Sequence, residues 1–549
     1  MLEKFLPRVD FSSYEDFKRN YQVNIPADFN FAYDIVDGWA KEQPAKTALV
    51  WCDDHGGKRS FTFSDIAALS ARTANYLRSL GIGKGDVVLL ILRRRWEYWV
   101  AANAVHKLGA VLIPGSLQLT QKDIAYRANA AGIKAIIAVD DPFVVEQVEL
   151  AQPKAPSLAV KILVGQKKDG WESFEKIDEF PDQIERVQND VKDTFLIYFT
   201  SGTTGMPKMV RHDFSYPLGH IVTAKYWQCV QEDKLHMSVS DSGWAKFGWG
   251  KIYGQWICGA VIFAYDMDKF VPKNLLQKIQ DYKLTTFCAP PTMYRFMLTE
   301  DVSVYDLSSV ERWCLAGEPL NPEIFRKWEQ LTGKKMAEGF GQSESSVMLA
   351  NFPWFDPIPG SMGKPSPLYD IALLDADGNP CEDGDEGEIA VMNARSAPPA
   401  GLFTGYFHDE ENTNKSFQEG VYNLKDVAWR DSEGYYWFVG RHDDVIKCSG
   451  YRIGPFEVES ALLEHKAVLE CAVTAAPDPI RGQVVKATIV LKAGFTGSPE
   501  LIKELQNHVK KVTAPYKYPR VVEFVAELPK TLGGKIKRAQ IRRNDSDGN

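Results

Sequence analysis

The sequence has no stretch near the ~20 consecutive apolar residues that a membrane-crossing helix needs. Its strongest apolar run, residues 87–92, is strand length and stops at Arg93-Arg94-Arg95. No membrane span is expected. The chain has no basic excess either: 64 lysines and arginines stand against 72 acidic residues, for a net charge of -8. That leaves no electrostatic footprint for nucleic acid. Eight cysteines, at 52, 229, 258, 288, 314, 381, 448 and 471, form no C-x-x-C pair. Their scatter argues against a zinc site or redox dithiol and suits a reducing compartment. Met1-Leu2-Glu3-Lys4 opens into mixed polar sequence rather than the apolar core of a secretion signal. A cytoplasmic location is the expectation. There is no internal repeat and no low-complexity segment.

What is present is the balance of a globular chain, 45% hydrophobic and 25% charged over 549 residues. That length is too great for one ordinary core, so two or more domains are expected. The first part alternates helix and strand signals. Ser64 is a candidate cap for a helix with apolar positions Ile66, Leu69, Tyr76 and Leu80, ending at Gly81. Residues 87–92 read as a buried strand, 96–107 as a helix, 110–113 as a strand. A further helix starts at Thr120, and 135–139 read as the next strand. Such alternation predicts parallel sheets covered on both faces, with ligand sites at strand carboxyl ends. Residues 167–191 read as a charged surface connection.

A second alternating block covers about 194–371. Short strands and Gly/Asp turns then predict a more antiparallel β unit to about residue 440. The last hundred residues read as a small α+β unit, with strands at 471–474, 484–491 and 521–525 and a helix at 500–512. The fold class expected is α/β: a large N-terminal domain of α/β sheets plus a β subdomain, residues 1–442, then a small mobile α+β C-terminal domain, residues 443–549.

One loop stands out: Tyr198-Phe199-Thr200-Ser201-Gly202-Thr203-Thr204-Gly205-Met206-Pro207-Lys208. Glycines let backbone N–H groups approach a phosphate, hydroxyls add donors, and the lysine adds charge. The G-x-x-x-x-G-K-[ST] spacing of a Walker A loop is absent. By composition alone the segment reads equally as a surface turn. Its residue order, however, closely resembles the phosphate loop of the adenylate-forming superfamily: acyl-CoA synthetases, non-ribosomal peptide synthetase adenylation domains and firefly luciferase.

Further segments resemble that family in its own order. Ala316-Gly317-Glu318-Pro319 is similar to the segment beside the adenine. Gly339-Phe340-Gly341-Gln342-Ser343-Glu344 resembles the Y-G-x-T-E signature, which implies phosphate contact by Ser343 and Mg²⁺ binding by Glu344, a hard oxygen ligand. Residues 440–455 resemble the domain-junction motif. The resemblance then implies ribose binding by Arg441 with Asp426, a hinge at Asp443, and a coenzyme A path along Ser449, Gly450, Tyr451 and Arg452. The chain departs from the family's T-G-D before that aspartate, reading Leu424-Lys425-Asp426. Either the loop tolerates the change or ribose binding is altered. Residues 529–538 resemble the C-terminal motif whose lysine, here Lys535, bridges the substrate carboxylate and the α-phosphate.

Residues 240–251, with Trp244, Lys246 and Trp249, look like the acyl-pocket segment of medium-chain acyl-CoA synthetases. Residues 476–482 and 513–520 resemble the same branch. Two large indoles imply a short, branched, medium-chain or aromatic acid. Each tryptophan reads equally as core filling, and Lys246 equally as solvated. Arg481 and Lys510 are candidates for the coenzyme A phosphates. The resemblance implies ATP, Mg²⁺, coenzyme A and a carboxylic acid as reactants, no prosthetic group, and a monomer or homodimer. Two alternatives stay open: an adenylating enzyme with a carrier-protein or other acceptor, and a degenerate nucleotide- or acyl-binding protein.

Overall fold

The computed structural model describes residues 1–200, 207–448, 451–478, 482–530 and 536–547; the side chains of 447, 451, 452, 482 and 545–547 are not described. The described strands form three sheets.

The first sheet has a parallel centre, with Val87–Ile91 between Val111–Pro114 and Ile133–Val139. All five residues of Val87–Ile91 are buried, which is why the segment reads as an unbroken apolar run. At one edge of this sheet Thr194–Thr200 pairs antiparallel with Lys208–Asp213, which in turn pairs with Gly405–Tyr406. The helices read around 64–80, 96–107 and from 120 are present, with one cap shifted. The helix Phe63–Ser79 is capped by Thr62, not Ser64: Thr62 and Asp65 form a reciprocal capping box. Ser64 already lies inside the first turn. Thr120 and Asp123 make the same box for Gln121–Ala131.

Residues 167–191 are more than a surface connection. Glu172–Ser173 pairs at the sheet edge, Phe174 and Ile177 are buried, and Tyr76 Oη donates to the Ser173 carbonyl at 3.1 Å. Two apolar residues among many charges gave too weak a periodicity to reveal this.

The second sheet runs in parallel through Thr47–Asp53, Val261–Asp266, Leu235–Ser238, Thr286–Ala289, Arg312–Ala316 and Met336–Phe340. It then continues antiparallel through Leu349–Ala350, Ser361–Pro365, Tyr436–Arg441, Val421–Arg430, Glu386–Val391 and Ile371–Leu374. The antiparallel β unit is therefore hydrogen-bonded to the α/β sheet. Between the layers lie fully buried indoles. Those of Trp99, Trp227 and Trp256 donate to the carbonyls of Lys251, Ala337 and Ala48. Each such side chain contributes about 1.5–3 kcal/mol by burial, and the donated bond avoids an orphaned N–H.

The third sheet, of five strands from Ile446–Cys448 to Val521–Phe524, lies beyond residue 445. With the helices Pro455–Leu463 and Pro499–Val512 it encloses its own core of Val458, Leu462, Val473, Val485, Ile489, Leu505 and Val509. It touches the larger part where Asn321 Nδ2 donates to the Ser460 carbonyl at 3.3 Å.

Candidate active site

Ala316 and Gly339 are partners on neighbouring parallel strands. The chain leaves both strands at the same edge, into Gly317-Glu318-Pro319 and into residues 341–345. Loops after the carboxyl ends of parallel strands form the ligand crevice of such sheets. Gly317 has a φ of 98°, and the Lys246 ammonium lies 3.3 Å from where a Cβ would stand. Only glycine meets both conditions without strain. Lys246 donates to the Ala316 carbonyl, and burial pushes its pKa down. Its side chain is thus turned inward beneath Gly317, not into solvent. Thr292 Oγ1 donates to Glu318 Oε2 at 2.6 Å.

Two indoles decide the glycines of the next loop. A Cβ on Gly339 would lie 2.5 Å from the Trp227 ring, and one on Gly341 2.5 Å from the Trp249 ring. Trp249 Nε1 donates to the Ser345 carbonyl at 3.1 Å, so this buried indole is the floor of the 341–345 loop. Trp244 is half-exposed and caps the start of the helix Ala245–Gly250. Ser343 is anchored through its carbonyl, 2.8 Å from His212 Nε2. A carbonyl only accepts, so His212 carries its proton on Nε2. Burial holds this histidine's pKa down to about 3, so it is neutral.

Glu344 and Lys208 meet at Tyr406. The Tyr406 hydroxyl donates to Glu344 Oε1 at 3.1 Å, and the Lys208 ammonium lies 4.5 Å from the Tyr406 ring centre. Strand pairing sets this up: Lys208 is opposite Thr200, and Tyr406 opposite Val210. Burial pushes the half-buried Glu344 carboxyl up, opposed by the Tyr406 bond, Lys208 and Arg441. Burial pushes Lys208 down, and the nearby cations Lys425 and Arg441 add to that. Among the described residues no three His, Cys, Asp or Glu side chains cluster as a metal cage. A single carboxylate fits Mg²⁺, which is held chiefly by substrate phosphates and water.

Asp426 and Arg441 face each other across the Val421–Arg430 and Tyr436–Arg441 pair, with Arg441 Nε 3.6 Å from Asp426 Oδ1. A buried carboxylate beside a guanidinium offers acceptors and donors at one spot, as a ribose diol requires. Gln342 ties this pair to the glycine-rich loop. Its amide donates to Asp426 Oδ2 and to the Leu424 carbonyl, while Tyr422 Oη donates to Gln342 Oε1 at 2.7 Å.

The unusual Leu424-Lys425 step keeps this geometry. The strand bulges there, between the pairings Glu388–Val427 and Ala390–Asn423, and Lys425 takes a φ of 61°. Glycine enters that region freely, whereas a lysine costs about 1–2 kcal/mol. The His442 N–H donates to the Lys425 carbonyl at 2.9 Å and holds it. The backbone tolerates the lysine and Asp426 still faces Arg441.

Asp443 is exposed, with its carboxylate 3.7 Å from Arg441 Nε. Lys510, on Pro499–Val512, stacks its ammonium 4.0 Å over the Tyr518 ring, and the Arg520 guanidinium lies 4.8 Å from the same ring. Tyr451–Ile453 pairs antiparallel with Ile446–Cys448. Ser201, Gly202, Thr203, Thr204, Gly205, Ser449, Gly450, Arg481 and Lys535 lie outside the described residues. Two residues escaped sequence reasoning. Tyr406 sits in a two-residue strand with no periodic signal. Glu338, directly before Gly339, is a buried carboxylic acid whose pKa burial pushes up to about 8. Its only sequence signal was an acid inside an apolar strand.

Residues 36–407 match the model of the AMP-binding enzyme family, and residues 457–535 that of the AMP-binding enzyme C-terminal domain. The acyl-coenzyme A synthetase ACSM3 of Pongo abelii is 41% identical over 547 residues, covering 98% of this chain and 93% of that protein. The acyl-coenzyme A synthetase ACSM4 of Homo sapiens is 42% identical, covering 95% and 92%. Among solved structures, the anthranilate CoA ligase AuaEII in complex with anthranoyl-AMP superposes with a TM-score of 0.88 at 29% identity, covering 95% of this chain and 98% of that one. A benzoate CoA ligase from Burkholderia xenovorans LB400 gives 0.82 at 26%, covering 94% and 100%. On these matches and the site they surround, the chain belongs to the AMP-binding enzyme family.

Proposed function

We propose that the protein is an ATP-dependent, AMP-forming acyl-CoA synthetase for a short-, branched- or medium-chain or aromatic carboxylic acid. The observation that carries the reading is the convergence of Lys208, Glu344 and the Asp426–Arg441 pair on one glycine-rich loop, linked through Tyr406 and Gln342. The likeness to acyl-coenzyme A synthetases and to anthranilate and benzoate CoA ligases supports the same chemistry.

In this mechanism Asp426 and Arg441 hold the ribose. Gly317, Glu318, Pro319 and Phe340 flank the adenine. Thr200, residues 201–205, Ser343 and Lys208 take the phosphates. Glu344 would hold Mg²⁺, which when bound neutralises phosphate charge. A carboxylate oxygen of the acid forms a bond to the α-phosphorus as the bond to the β-phosphate oxygen breaks, and pyrophosphate leaves. Lys535 opposes the repulsion between the two anions and the charge growing on the α-phosphate. In the second step the coenzyme A thiol gives up its proton and its sulfur attacks the acyl carbonyl. The bond to the phosphate oxygen breaks and AMP leaves, with no cysteine nucleophile required. The boundary at 442/443, rotation about Asp443, and coenzyme A contacts by residues 449–452, Arg481 and Lys510 belong to this proposal. So does a cytoplasmic location, in keeping with eight free cysteines.

The test is acid-dependent ATP–pyrophosphate exchange across acetate, butyrate, 2-methylbutyrate, octanoate and benzoate, then AMP release with and without coenzyme A. Exchange with one acid and coenzyme A-driven AMP and thioester release support the reading. Exchange without any response to coenzyme A would assign another acceptor. ATP binding without exchange for any acid would overturn catalysis.

A further inference from the structure

A chain of polar contacts crosses from the Gly317-Glu318-Pro319 loop to the small C-terminal unit. It starts at Glu318, whose Oε2 accepts the Thr292 hydroxyl at 2.6 Å. Thr292 Oγ1 in turn accepts from Arg295 Nη2 at 3.4 Å, one turn along the helix Pro291–Met297. A hydroxyl has one proton to give and lone pairs to accept with, so it serves both bonds at once. The same Arg295 Nη2 lies 3.9 Å from Glu470 Oε1, which belongs to the small unit. Glu470 then takes the Lys530 ammonium on both carboxylate oxygens, at 2.9 and 2.7 Å.

Local structure aims Glu470 at this spot. The strand Val468–Asp478 bulges between Val468 and Glu470, and a bulge re-aims the side chain beside it. Two residues on, Ala472 shares the face of Glu470 and is buried in one cluster with Leu528 and Ile541. The chain on either side of Lys535 is thus folded back over that face. Its two arms are closed by the Lys530–Ile536 bridge and by the Lys537 N–H, which donates to the Pro529 carbonyl at 2.8 Å. Arg538 anchors them further, with Nη2 2.7 Å from both carboxylate oxygens of the buried Glu459. The Glu470 side chain is 13% exposed and that of Arg295 27%, so their pairing is partly shielded from water.

We propose that Glu470 is a positioning residue for the first half-reaction: paired with Arg295, it latches the unit that carries Lys535 beside the Gly317-Glu318-Pro319 loop. The proposal rests on the synthetase reading for what Lys535 does there. The Lys530–Glu470 pair lies within the small unit and survives any turn of that unit as a body. The Arg295–Glu470 pair joins residues on opposite sides of Asp443 and breaks when the unit turns about it. Its energy is present in one arrangement and absent from the other, which is the condition for shifting a balance between them. The latch therefore favours adenylation and opposes the turn to thioester formation.

The test compares the wild type with Glu470→Gln, Arg295→Gln, the double variant, and Arg295→Lys, which keeps the charge. Losing a partly exposed ion pair should lower ATP–pyrophosphate exchange about two- to fivefold in each Gln variant. The double variant should lose no more than Glu470→Gln alone, because residues that act through each other are not additive. Thioester formation from supplied acyl-AMP should be unchanged or faster, and Arg295→Lys should keep most of the exchange. Equal loss in both half-reactions would show a merely structural role and overturn the proposal, as would additive losses or unchanged exchange. Hydrogen exchange reads the contact without turnover. Deuterium uptake of Pro291–Met297 and of Val468–Asp478 should rise in Glu470→Gln at an unchanged melting temperature, and identical uptake would overturn the latch. Uptake that responds in a chain that activates no acid would refute the synthetase reading alone.

Discussion

Glu338 offers a quantitative test of the crevice wall. It lies on Met336–Phe340, 6% exposed, and its Oε2 has no hydrogen-bond partner among the described residues. Burial pushes its pKa from 4.5 to about 8, opposed only by a bond from the Leu320 backbone. An acid whose folded pKa is raised binds more protons folded than unfolded between those two values. The stability it contributes is full below pH 4.5 and is lost as pH rises through 8. At 1.36 kcal/mol per pKa unit, the loss between pH 5 and 7.5 is about 3 kcal/mol. Glu338→Gln keeps the shape and the acceptor for Leu320 but cannot ionise. Its stability relative to wild type should therefore climb by about 3 kcal/mol over that interval. Paired urea unfolding curves at pH 5, 6, 6.5, 7 and 7.5 give the difference directly. A difference flat across the series would refute the buried, unpartnered carboxyl, as would a variant that loses ground as pH rises.

Lys535→Ala should lose roughly 10²–10³-fold in ATP–pyrophosphate exchange, the effect of removing one transition-state contact. It should largely spare thioester formation from supplied acyl-AMP, and equal loss in both half-reactions would defeat the two-step account. Gly341→Ala drives a methyl into the Trp249 ring. It should cost about 1–3 kcal/mol of stability and raise KM for ATP; an unchanged melting temperature would show that the loop is not seated on that indole. Tyr406→Phe removes the donor to Glu344 but keeps a ring under Lys208. The Mg²⁺ concentration giving half-maximal exchange should rise about tenfold, in line with the loss of a hydrogen bond to a charged group, with little change in melting temperature; an unmoved Mg²⁺ midpoint would refute that placement.

Local signals fixed much of this protein. Runs such as residues 87–91 are buried on both faces, so their apolar character alone marks a parallel strand. Thr120 and Asp123 cap a helix by chemistry confined to four residues. The phosphate-loop order and the acid and guanidinium at 426 and 441 could be picked out through their resemblance to family motifs, and the structure sets Asp426 beside Arg441. Only the tertiary structure decided the rest, because those features are contacts between residues far apart in the chain. Thr47–Asp53 leaves the first alternating block to pair with Val261–Asp266, over two hundred residues away. Trp249 reads in sequence equally as a pocket wall or as core filling, and only the tertiary structure seats it beneath Gly341 as a floor. Tyr406 acquires its role through one pairing with Val210 that brings its ring to Lys208 and its hydroxyl to Glu344. At Lys425 the sequence showed a missing glycine, and the bulge shows why the aspartate is undisturbed: the left-handed backbone is imposed by hydrogen bonds from Gln342 and His442, whatever side chain stands there.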